Sequence, residues 1–146
     1  MERGTSSRPS GEPHVGRHLR IGWWSLLLFA GVGLTLEALH AFKVGWYLDV
    51  ASESRRLMLT LAHAHGVLLG LVHLGFAATL AIGAVRADRI RWASRSLLAA
   101  SVLLPGGFLL GAIGIAGGDP GPGVALAPLG AIALFVGLVL TAGGLR

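Results

Sequence analysis

The stretch Leu57–Val85, LMLTLAHAHGVLLGLVHLGFAATLAIGAV, runs for 29 residues without a Lys, Arg, Asp or Glu. A helix needs about 20 apolar residues to cross a hydrocarbon core of roughly 30 Å. This segment exceeds that length, so it spans a membrane with some tilt or protrusion. Charges are also missing from Ile21 to Leu36, from Ser96 to Gly118 and from Gly121 to Leu145. The first of these gaps, continued to Phe42, reaches spanning length as well, although it then takes in Glu37 and His40. With 53% hydrophobic and 13% charged residues and a mean hydropathy of +0.71, the composition is that of a bilayer protein rather than a soluble domain.

Four spans are therefore expected, at about 21–42, 56–85, 92–116 and 124–145, joined by short polar turns. Short connections reverse the chain direction, so the predicted fold is an all-α, antiparallel four-helix transmembrane bundle. Residues Met1–Arg20 are rich in Ser, Pro, Gly and Arg and read as a disordered basic tail, with 21–146 as the transmembrane domain. His14 and His18 fall on that tail and are expected to be solvent-exposed. A cleavable leader is not expected, because no small-x-small site follows the first apolar run.

Orientation follows from the basic residues. Nine Lys and Arg lie on the side of the tail, the second loop and the C-terminus; three, Lys43, Arg55 and Arg56, lie on the other. Both termini are expected to be cytoplasmic, in a bacterial-type inner membrane. The net charge of +5 flanks the apolar spans instead of forming a groove-binding surface, which points to anionic lipid headgroups rather than nucleic acid. Trp23 and Trp24 before the first span, and Trp46 and Tyr47 after it, suit the headgroup boundary. Asp49 and Glu53 read as loop solvation.

Candidate chemistry lies in Glu37, His40, His63 and His65, because ionisable groups inside spans are costly and usually functional. At 1.5 Å per residue, Glu37 and His40 lie roughly 8 and 3 Å below Phe42, and His63 and His65 roughly 9 and 12 Å below Leu57. All four share a level near the outer leaflet. Glu37 and His40 are three apart and can face one partner, whereas His63 and His65 are roughly 200° apart around a regular helix. His73 is too deep to share their site and is a secondary candidate, for a separate site or a proton path.

This residue set admits a transition metal, a b-type haem held by two facing imidazoles, or a proton or quinone site in which Glu37 and a His exchange protons. It equally admits a purely structural pairing of Glu37 with a neighbouring His or Lys43. Small residues four apart, Gly66 and Gly70, Gly107 and Gly111, let helices approach closely, either within the chain or across a dimer or larger complex. A non-enzymatic assembly subunit is thus the competing reading. Pro105 and Pro128 are expected to kink their helices.

From Gly33 to Gly70 the pattern of Glu37, Lys43, His63-Ala-His65 and Leu69-Gly70 resembles small four-helix bacterial membrane proteins. It is also faintly similar to the His-x-His helix of haem- and copper-containing membrane proteins of the nitric-oxide-response and haem-copper oxidase type. The resemblance implies a haem or metal role, with His63 and His65 as ligands.

Several classes are excluded. Without cysteine there is no disulfide, thiol catalysis or cysteine-based metal site. The sequence carries neither a phosphate-binding loop nor a Gly-x-Ser-x-Gly elbow, which argues against a conventional hydrolase. The third and fourth spans offer little polar lining beyond Ser101 and Thr141, which argues against a wide aqueous channel.

Overall fold

The computed structural model describes residues 12–48, 53–115 and 118–146. The residues before Glu12, Asp49 in the first loop and Gly117 in the last turn lie outside that set. The described residues form α1 (Glu12–Ala41), a one-turn α2 (Gly45–Leu48), α3 (Glu53–Ala81), α4 (Ala87–Gly111) and α5 (Leu126–Ala142), the last preceded by a 3-10 turn at Pro122–Ala125. No strand is present among them. A single bridge between Val85 and Leu145 ties the C-terminus to the α3–α4 loop, with Arg86 N–H donating to Gly144 O at 2.9 Å. Four helices, counting the 3-10 turn with α5, are long and apolar enough to cross a membrane.

Local chemistry explains the helix limits. Pro13 sits in the first turn of α1, where a missing N–H costs nothing, and Glu12 complements the helix dipole there. The helix therefore begins at Glu12, inside the segment read from composition as tail. At its other end Val44 N–H returns to Leu39 O at 3.0 Å while Lys43 takes a left-handed φ of 52°. Gly83, with φ of 67°, closes α3 in the same way. Pro105 lies inside α4, but Pro128 falls in the first turn of α5, a position that proline tolerates without bending the helix.

The long helices pack in the order α1, α3, α4, α5. Small residues make each contact close. Gly22 lies under Leu74 and Gly70, Gly66 under the Phe29 ring and Gly33 under the His63 ring, so α1 rests on α3 along much of its length. On the other side, Gly107 faces Ala127, Gly130 faces Leu104 and Gly137 faces Leu97, which joins α4 to α5. The core between α3 and α4 is filled by Leu69, Phe76, Leu80, Ile90, Ala93, Leu97, Ala100 and Leu104. All four glycines singled out from sequence are thus occupied by contacts within the chain, Gly111 by Val124 and Met58. The outer faces of α1 and α5 expose Trp23, Trp24, Leu34, Ile132 and Phe135, as helices bathed in lipid do.

A Cβ at position 107 would stand 2.6 Å from the Ala127 backbone nitrogen, which cannot move aside. Gly107→Val is therefore expected to cost about 1–3 kcal/mol by overpacking. At Gly75 nothing lies within 4 Å of an added Cβ, so Gly75→Ala is expected to stay within about 0.5 kcal/mol of the parent. Unfolding of the detergent-solubilised protein checks both.

Candidate functional site

Two polar clusters lie between the helices. The first is built on His73, the secondary candidate for a separate site or a proton path; its other members, His14, His18 and Ser94, were not anticipated as site residues. His14 and His18 stand one turn apart on one face of α1, close enough to address a common partner. Packing of α1 onto α3 and α4 carries His18 inward until none of its surface is exposed, and His73 of α3 is equally enclosed. The two rings meet with Nδ1 to Nδ1 at 2.5 Å and centroids 4.7 Å apart. On the far side of each ring is a serine of α4: His18 Nε2 lies 2.8 Å from Ser94 Oγ, and His73 Nε2 lies 2.6 Å from Ser101 Oγ. His14 Nδ1 approaches Ser94 Oγ at 3.3 Å, and the edge of Phe76 closes the cluster against His18. The expectation that His18 is solvent-exposed is thus corrected, and His14 is half-buried.

The direction of every bond in this cluster follows from one fixed end. Leu97 O can only accept, so the single hydroxyl proton of Ser101, 3.0 Å away, belongs to it. Ser101 Oγ must then accept from His73 Nε2–H. A neutral His73 carrying that proton has a lone pair on Nδ1, so His18 supplies the proton between the rings from its own Nδ1. His18 Nε2 then accepts from the Ser94 hydroxyl, and Ser94 Oγ accepts from His14 Nδ1–H. The result is one continuous, one-way chain: His14 to Ser94 to His18 to His73 to Ser101 to the Leu97 carbonyl. Every buried side-chain nitrogen and oxygen among the described residues has a partner.

The second cluster is the anticipated one, at the other end of α1. A cavity of about 500 Å³ is lined by Gly33, Leu36, Glu37, His40 and Ala41 of α1, Tyr47 of α2, and Thr60 and His63 of α3. It brings Glu37, His40 and His63 to one space. The His63 ring lies against Gly33, where any side chain would collide with it, and its Nδ1–H donates to Phe29 O at 2.6 Å. Glu37 and His40 are on the exposed side of α1, and Glu37 makes no ion pair with any described residue, Lys43 included. His65 does not join them. Its Nδ1–H turns back to Leu61 O at 2.8 Å and its ring lies on Phe108 of α4 at 5.0 Å, as a two-residue step around a helix requires. Among the described residues no three His, Asp or Glu side chains stand close enough together to hold a metal ion.

Short α2 forms one wall of the cavity, and arginines at the start of α3 pin it. Arg55 donates to Trp46 O at 3.1 Å and lies over the Trp46 ring, while Arg56 donates to Leu48 O at 3.0 Å and Tyr47 O at 3.3 Å. Cationic groups next to the last carbonyls of a helix complement its negative end. Between the two clusters lies Ser25, its hydroxyl bonded to Gly66 O at 2.9 Å.

No family model matches the chain, and no curated protein or solved structure is significantly similar to it.

Two expectations test the inner cluster. His73→Leu strands the His18 Nδ1–H in a dry interior, at a cost of about 1–3 kcal/mol, and His18→Leu strands His73 likewise. The double variant is expected to lose less than the sum, with a coupling of about 0.5–3 kcal/mol in a double-mutant cycle of detergent unfolding. Nitrogen NMR of histidine-labelled protein is expected to find His73 protonated on Nε2, and His18 and His63 on Nδ1.

Proposed function

We propose that this chain is a multi-pass protein of a bacterial-type inner membrane, with its long helices antiparallel and both termini cytoplasmic, and that it handles protons. The orientation is supported by the crowding of Arg17, Arg20, Arg86, Arg89, Arg91, Arg95 and Arg146 toward one end, where anionic headgroups would meet them. One observation carries the function: two fully enclosed imidazoles share a 2.5 Å contact and are each backed by a serine.

Imidazole is suited to this work because one ring nitrogen can take up a proton as the other releases one. A proton arriving at His14 allows its Nδ1 proton to pass to Ser94 Oγ while the Ser94 hydroxyl proton passes to His18 Nε2. His18 then yields its Nδ1 proton to His73 Nδ1, and His73, still donating from Nε2–H to Ser101 Oγ, becomes the imidazolium. Each step breaks one N–H or O–H bond and forms another, and the one positive charge that enters at His14 is carried inward to His73. Ser94 and Ser101 are seven residues apart on α4, roughly 10 Å of axis, or about a third of a hydrocarbon core. The relay therefore reaches from the cytoplasmic surface into the interior, and the outer cavity enters from the opposite side as far as His63. A partner-binding face at Gly107 and Gly111 has less support, since α5 and its preceding turn occupy those positions.

Proteoliposomes loaded with a pH-sensitive dye, and driven by an imposed potential, provide the test. The parent protein is expected to admit protons faster than protein-free vesicles. His18→Leu and His73→Leu are expected to lower the rate at least tenfold, while His65→Leu, whose ring bonds its own helix, is expected to leave it unchanged. A parent rate equal to that of empty vesicles would refute proton conduction.

A further inference from the structure

The two polar clusters differ in how completely they satisfy themselves. In the inner one every donor meets an acceptor. In the outer cavity, the Nδ1–H of His63 is committed to the Phe29 carbonyl, so Nε2 of the neutral ring keeps a lone pair with no partner among the described residues. Glu37 adds carboxylate oxygens that likewise have no partner among the described residues. Thr60, Tyr47 and His40 can each donate or accept; His63 Nε2 and Glu37 can only accept. A carboxylate set into an apolar span without a partner is costly, and a molecule that donates to it removes that cost.

The class of that molecule follows by elimination. A volume of about 500 Å³ is the size of an organic ligand site, far larger than one ion needs. No three metal-ligating side chains converge there among the described residues. An organic cation is opposed by Lys43, Arg55 and Arg56, which crowd the same end of α1 and α3. An anion would bring its own lone pairs against those of His63 and Glu37. A neutral donor remains, and it must partition into the bilayer to reach a cavity on the membrane-spanning helices. The lining is mostly apolar, with Leu36, Ala41 and Tyr47 beside the Gly33 backbone on which the His63 ring rests.

We propose that this cavity binds a neutral, membrane-soluble ring compound bearing hydroxyl groups, of the hydroquinone type, its hydroxyls donating to His63 Nε2 and Glu37. The oxidised ring carries carbonyls, which only accept, so the site discriminates between the two forms of one compound by hydrogen-bond polarity. Binding here is independent of the proton relay, which lies at the other end of the helix pair.

Calorimetry under anaerobic conditions, with the full chain in nanodiscs and a decyl-substituted hydroquinone and its quinone as probes, tests this. The hydroquinone is expected to bind at least tenfold more tightly than the quinone. Both Glu37→Gln and His63→Phe are expected to weaken hydroquinone binding at least tenfold, and Glu37→Gln, at an exposed position, does so without disturbing the fold. Because glutamine adds a donor, Glu37→Gln is also expected to narrow the preference against the quinone. His73→Leu, in the relay, is expected to leave binding unchanged. Equal affinity for the two forms, indifference to both cavity variants, or stoichiometric zinc binding that depends on Glu37, His40 and His63 would each overturn the proposal.

Discussion

The contact between His18 and His73 is the interaction on which the arrangement of the other helices turns. A polar ring inside an apolar helix cannot be left without a partner, because nothing in a dry interior replaces the water it has lost. His73 meets this demand with one nitrogen on α4, at Ser101, and the other on α1, at His18. His18 then returns to α4 through Ser94. Three helices are thereby fixed in register at one end by hydrogen bonds that have a direction, where apolar packing alone is tolerant of sliding.

Glycine makes that register reachable. Gly22 and Gly70 bring the α1 and α3 backbones close just beyond the imidazole pair, and Gly66 receives the Phe29 ring one turn further along. The same helix pair then admits the His63 ring over Gly33. Close approach is needed at both polar clusters, and small residues supply it at both. Between α4 and α5, where no polar cluster lies among the described residues, glycines serve packing.

The two clusters are complementary in their chemistry. The inner chain is closed: its protons are all assigned and its last acceptor is a backbone carbonyl, so it stores no unmet demand and responds only when a proton is added or removed. The outer cavity is open: a backbone carbonyl holds His63 in the tautomer that presents a lone pair, and Glu37, which lines the same cavity, has no ion-pair partner among the described residues. In both cases a main-chain carbonyl, Leu97 O or Phe29 O, decides which nitrogen carries the proton, an effect of the kind that orients ligating and catalytic histidines generally.

Length counted along the sequence was enough to find four helices able to cross a membrane, three from charge-free gaps and the first by letting its gap run on through Glu37 and His40 to Phe42, because the hydrocarbon thickness sets a number that can be counted. Depth arithmetic likewise placed Glu37, His40 and His63 at one level, and rotation about a helix explains why His65 faces elsewhere. Of the inner relay only His73 stood out along the sequence, as a candidate for a separate site or a proton path; the rest was hidden for a physical reason. His18 meets partners 55 and 76 residues away, and its own neighbours, rich in Arg, Gly and Pro, carry the composition of a tail. His14 and His18 at a one-turn spacing were the available signal, which gains meaning only if the helix starts before them. Whether a histidine is solvated or enclosed depends on which helix lies over it, and only tertiary packing, through backbones brought close at Gly22 and Gly70, decided that.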